Sequence, residues 1–153
     1  QHGTPVVLLR LNYAIDLRYG VLRDLADKVS SGAPLALGMG YVNVIWQRDA
    51  NSAALRAFVH AQSPPLVLNL TGTEIFSVRD LARRFGEIFG IEPVFRGVES
   101  ETALLSNAWR CRDLLGPPQT GIDEMIQWVA HWVRRGGRSL GKPTHFEQRD
   151  GRF

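Results

Sequence analysis

Arginine is the residue type in this chain best placed to do chemistry, since Lys28 and Lys142 are the only lysines and every other base is an arginine. A planar guanidinium meets two oxygens of a phosphate or carboxylate at once, so an anionic ligand is admissible. No dense basic run accompanies these residues, and a scattered, solvated set is the simpler reading. Other patterns are weaker. The segment GGRSLGK (residues 136–142) imitates the phosphate-binding G-x-x-x-x-G-K loop, but Pro143 stands where a serine or threonine is needed and the segment follows a helix instead of a strand. His145 and Glu147 lack the third and fourth ligands of a metal site. His60 and His131 lie on predicted helices far from any serine or cysteine partner, so a hydrolytic triad has no support and no catalytic residue is assigned. Cys111, between Arg110 and Arg112, has cationic neighbours that could lower a thiol pKa, although a semi-buried structural cysteine is the stronger reading. Trp109, Trp128 and Trp132 sit at helical positions and read as packing residues.

These residues must be held by a real core. A chain of 153 residues with 44% hydrophobic content can bury one, and a single domain is the prior. One cysteine excludes an internal disulfide and fits a reducing, cytoplasmic compartment. No apolar stretch approaches the roughly 20 residues of a membrane span, and no signal-peptide pattern opens the chain. A net charge of +3 alone would suggest nucleic acid, but without a basic run that is the least supported partner. We therefore expect neither nucleic acid nor membrane.

The elements read as follows. Residues 5–11 (PVVLLRL) are continuously apolar, the pattern of a parallel strand covered on both faces. Val21, Leu22, Leu25, Ala26 and Val29 define a helix closed near Gly32, and residues 35–37 form a short strand. YVNVIW (residues 41–46) is a strand, after which Asp49 caps a helix over residues 50–62, broken by Ser63-Pro64-Pro65. LVLNL (residues 66–70) is a buried strand ended by Thr71-Gly72. Ser77 then caps an amphipathic helix that stops at Gly90. Residues 92–96 form a further strand, Ser106 or Asn107 to Leu115 a short helix, and Thr120-Gly121-Ile122-Asp123 opens the last helix. Residues 1–135 are expected to form one α/β domain, with 136–153 a polar tail that packs on it or is partly flexible. No internal repeat is evident.

The order RLNYAIDLRYG, a strand running into Asp49-Ala50, LNLTG with a capped helix, SNAWRCRDLLGPP and a final amphipathic helix resembles the C-terminal part of an extended short-chain dehydrogenase/reductase of the NAD-dependent epimerase/dehydratase family. The resemblance covers nearly the whole chain. It implies an α/β fold, the C-terminal portion of a Rossmann-type enzyme, with strand 5–11 joining the Rossmann sheet. It also implies a substrate-binding role toward a nucleotide sugar or related small molecule, with NAD(P) held by the N-terminal half.

Two family signatures have no counterpart here. There is no glycine-rich strand-to-helix turn for pyrophosphate. The family's tyrosine is followed four positions later by lysine, whereas Tyr13, Tyr19 and Tyr41 are followed at that spacing by Leu17, Arg23 and Ile45. The chain alone is then expected to be inactive and to bind NAD weakly or not at all. Among site residues, the resemblance places Asn12 and Tyr13 in the loop near nicotinamide and substrate, so Asn12 is a candidate for both cofactor and substrate. Arg96 matches the arginine that grips a substrate diphosphate, with Glu99 replacing the family's aspartate. Val42 stands where relatives carry an arginine, and Gln47 and Arg48 are candidates to compensate. The alternative reading is a free-standing small-molecule or protein-binding module of the same fold. A strand such as 5–11 with uncovered edges also predicts a homo-oligomer.

Overall fold

A computed structural model describes residues 3–149. In chain order the elements are β1 (Val7–Leu11), β2 (Ala14–Ile15), α1 (Val21–Ser31), β3 (Leu35–Ala36), β4 (Tyr41–Val42), β5 (Ile45–Trp46) and α2 (Gln47–Ala57). A 3-10 turn (Phe58–His60) leads to β6 (Leu66–Leu70), β7 (Phe76–Ser77), α3 (Val78–Phe89), β8 (Phe95–Arg96), α4 (Trp109–Leu115) and α5 (Ile122–Arg134). The fold is mixed α/β, as the sequence leads one to expect.

The strands form four pairs. β1 runs parallel to β6, with Leu9 opposite Leu68 and Arg10 opposite Asn69. β2 is parallel to β5, β3 is parallel to β8, and β4 is antiparallel to β7. Crossovers between parallel strands place helices on their faces. The larger core gathers Val21, Leu22, Leu25 and Val29 of α1, Val78, Leu81 and Phe85 of α3, and Met125, Ile126 and Val129 of α5. A second cluster lies under α2 and α4, where Ala50, Ala53, Cys111 and Leu115 meet Leu66, Leu68 and Leu70 of β6.

Local signals explain the best-defined helix. Ser77 Oγ accepts the Asp80 amide at 3.2 Å, and Gly90 closes α3 with φ of 71°, a left-handed turn that a Cβ would strain. Four expectations are corrected. Residues 41–46 do not make one strand: β4 and β5 pair with different partners, because Asn43 between them turns its side chain to three loops. Asp49 does not cap α2; the helix starts at Gln47, with Trp46 at its N-cap. That helix ends at Ala57 and tightens into the 3-10 turn, and α4 begins at Trp109. Along β1, Val7 and Leu9 pack on the second cluster, while Leu8 and Arg10 are exposed.

Beyond α5 the segment GGRSLGK is irregular, with the Leu140 amide bonded to the Arg18 carbonyl at 3.0 Å. It is no phosphate loop. Phe146 buries itself in the larger core, Thr144 bonds Asp24 through amide and hydroxyl at 2.8 and 2.7 Å, and Glu147 pairs with Lys28.

Candidate functional site

In open α/β sheets, ligands bind at the carboxyl ends of the strands. Here β1 ends in Asn12-Tyr13 and β6 in Thr71-Gly72, and both turns meet at Asn43. Asn43 is buried and saturated: its amide nitrogen donates to the carbonyls of Gly72 (3.0 Å) and Ser106 (2.6 Å). Its side-chain oxygen accepts from the Asn12 amide group (3.2 Å) and the Ser106 N–H (3.3 Å). Both donors and both lone pairs are used, which is what a buried amide requires.

The backbone repeats the bracing. Thr71 Oγ1 donates to the Asn43 carbonyl, the Gly72 amide to Val44 O and the Ile45 amide to Tyr13 O, each at 3.2 Å. A Cβ on Gly72 would stand 2.3 Å from Val44 O, so the approach itself demands glycine. Nothing in the sequence pattern singled out Asn43.

Tyr13 is unusual in two respects. Its φ is +43°, strained for a bulky residue, and its buried hydroxyl has no hydrogen-bond partner among the described residues. Burial pushes its pKa above the ordinary tyrosine value.

The other candidates lie apart from this node. Gln47 bonds Asn51 at 2.9 Å along α2. Arg48 reaches Thr120 Oγ1 at 3.1 Å and lies 3.4 Å from Asp49. Asp49 is buried and accepts the amides of Gln119 and Thr120 at 3.1 and 2.7 Å, so it ties α2 to the start of α5. Neither Gln47 nor Arg48 is drawn to the Asn12 loop.

Arg96 is exposed at the end of β8. Beside it, Arg79 grips Glu99 through both carboxylate oxygens at 2.6 and 3.0 Å and lies over the Phe95 ring at 4.7 Å. The hydrogen bonds from Arg79 hold the Glu99 carboxyl below the usual range.

On the far side of the Gly72 turn lies a cleft of about 380 Å³ between Phe76, Trp109, Arg112 and Gln119. Trp109 carries the Arg112 guanidinium 4.7 Å from its ring centre. Cys111, below it, is buried, and burial raises its thiol pKa despite the charge of Arg56. The structural reading of that cysteine is the one the packing supports. Trp128 meets Trp46 edge-on at 5.2 Å, again a packing role. No three His, Cys, Asp or Glu side chains converge on a metal-sized site among the described residues, and no helix there is long and apolar enough to cross a membrane.

Among the described residues, the turn after β1 leads into the short strand β2 and the turn after β6 into the short strand β7.

No family model matches the sequence, and comparison with curated proteins also gives no match. Solved structures do. The fold matches UDP-glucuronic acid 4-epimerase from Bacillus cereus, solved in complex with NAD, with a TM-score of 0.68 at 17% identity, over 86% of this chain and 45% of that one. UDP-glucose 4-epimerase from Thermotoga maritima, solved with UDP-glucose, gives 0.66 at 19% identity, over 85% and 46%. The Bordetella bronchiseptica enzyme WbmF, in complex with NADH, gives 0.67 at 19%, over 89% and 47%.

The architecture is thus that of the C-terminal portion of Rossmann-type extended short-chain dehydrogenase/reductase proteins, NAD-dependent epimerases among them. This chain spans a little under half the length of each of these structures.

Proposed function

We propose that this chain is the substrate-binding part of an NAD-dependent epimerase- or dehydratase-type enzyme acting on a sugar nucleotide or related small molecule. NAD(P) and the acid–base chemistry then reside on a Rossmann half, and the chain alone is inactive. One observation carries the reading. β1 and β6 form a parallel pair with no other ladder partner among the described residues, and Leu8 and Leu11 are 48% and 54% exposed. Unlike the two-residue pairs β2–β5 and β3–β8, this one runs over five residues, and a parallel ladder of that length suits a larger sheet covered on both faces. The open edge and face of β1 therefore suit further parallel strands, such as a nucleotide-binding half supplies.

In that arrangement the Asn12-Tyr13 turn faces the boundary between halves, where Asn12 can meet cofactor or substrate and Tyr13, held at positive φ with its ring against the core, shapes the turn beside the substrate. Arg96 serves the substrate's phosphates. Gln47 and Arg48, bonded within the α2–α5 region, are the weaker substrate candidates. An exposed strand edge also favours self-association, so a homo-oligomer is expected, and the single reduced cysteine suits a cytoplasmic setting.

The coding sequence that joins the Gln1 codon tests this. The reading expects a glycine-rich strand-to-helix turn and a Tyr-x-x-x-Lys pair there; a segment lacking both would favour the free-standing binding module.

A further inference from the structure

A sugar nucleotide carries a diphosphate with at least two negative charges, and one guanidinium at Arg96 does not balance it. The nearby carboxylate adds no repulsion, because Glu99 is neutralised by the bidentate bond from Arg79. A second cation reaches this place from the far end of the sequence. β3 and β8 are in register as Ala36 opposite Arg96, and the next amide, Leu37, donates to the Arg96 carbonyl at 3.0 Å. The carbonyl of the residue after that, Gly38, accepts Arg149 Nη1 at 3.0 Å.

Arg149 is thereby anchored at the same strand end as Arg96. It also donates to the Thr102 carbonyl at 2.7 Å and to Thr102 Oγ1, fastening the loop that follows Arg96. Of five guanidinium hydrogens, these bonds use three, and the side chain stays exposed. Its Nε and one Nη2 hydrogen have no partner among the described residues. The tail is held in place by buried Phe146 and by Thr144 on Asp24, so Arg149 is presented on a fixed segment. Val42 contributes no charge here, and Gln47 and Arg48 are bonded elsewhere.

We infer that Arg149 is the second diphosphate-binding arginine of this chain, acting with Arg96 at the ends of β3 and β8. The inference rests on the substrate-binding reading above and names a residue for it. Glu101, exposed on the same loop, has no ion-pair partner among the described residues, and its charge opposes a weakly charged anion there.

Calorimetric titration of the chain with inorganic pyrophosphate and with UDP tests the site. R96A and R149A should each weaken both ligands by about ten-fold or more, and R149A should reduce the salt dependence of binding. T102V separates contact from bracing: it removes one loop anchor and keeps the guanidinium, so it should bind within about two-fold of the parent. Equal losses in T102V and R149A would mean that Arg149 only braces the loop, and would overturn the inference. So would unchanged binding in R149A, which leaves the Arg96 assignment standing, or a parent chain that binds neither ligand. The broader reading fails separately, by tight NAD binding to this chain.

Discussion

Asn12 donates its side-chain amide to Asn43 Oδ1 at 3.2 Å, across 31 positions of sequence. Through this bond the turn after β1 is fixed to the turn after β6, because Asn43 also holds the Gly72 and Ser106 carbonyls. The residue proposed to meet cofactor or substrate thus takes its orientation from a buried partner.

Replacing Asn43 with alanine strands two buried carbonyls and frees Asn12. A loss of about 2–3 kcal/mol in urea unfolding is expected, at roughly 1 kcal/mol per bond plus the cost of unmet acceptors. N43D keeps the size and the acceptor but loses both donors, so it should be at least as damaging as alanine. A loss under about 0.5 kcal/mol for both would remove Asn43 from its organising role.

Gly72→Ala sets a methyl group 2.3 Å from Val44 O, a clash with backbone and not with a yielding side chain. It should cost about 2 kcal/mol or more. The mid-helix comparison Ala54→Gly, outside the buried cluster, lowers helix propensity by about 1 kcal/mol and calibrates the measurement.

The tail attachment carries a pH signature. Burial raises the Asp24 carboxyl pKa above its ordinary 3.8, with the Thr144 bonds acting the other way. The folded protein then holds this proton more tightly than the unfolded chain does. Stability from Asp24 is complete below pH 3.8 and is lost as pH rises through the folded value. Relative to D24N, the parent chain should weaken as pH rises from acid toward neutral in urea titrations. A difference that is flat or grows with pH would contradict this.

The open face of β1 should drive association of the isolated chain. Light scattering is expected to show dimers or larger species at high concentration, and L8D, which charges the exposed face without touching the core, should return monomers. A strictly monomeric parent would show that this face needs no cover.

What the sequence discloses and what it hides divide along a physical line. The α3 helix was legible because Ser77, the apolar spacing and Gly90 act within a dozen residues. The β1 and β6 strands were legible from apolar runs ended by turn residues. Asp49 misled because an acidic residue after a strand looks like a cap, whereas its carboxylate satisfies amides at Gln119 and Thr120, some 70 positions away. Asn43 and Arg149 were invisible for the same reason. Their partners lie at sequence separations of 63 and 111, which no periodicity encodes.

The central claim is that this chain holds the substrate side of a divided task and leaves the dinucleotide to another segment. Isothermal titration of the purified chain with NAD, beside UDP-glucose as the sugar-nucleotide probe, tests it most directly. The account predicts heat for UDP-glucose that R96A weakens by about ten-fold or more, and no NAD binding in the micromolar range. Micromolar NAD affinity, or a silent UDP-glucose titration, would contradict it.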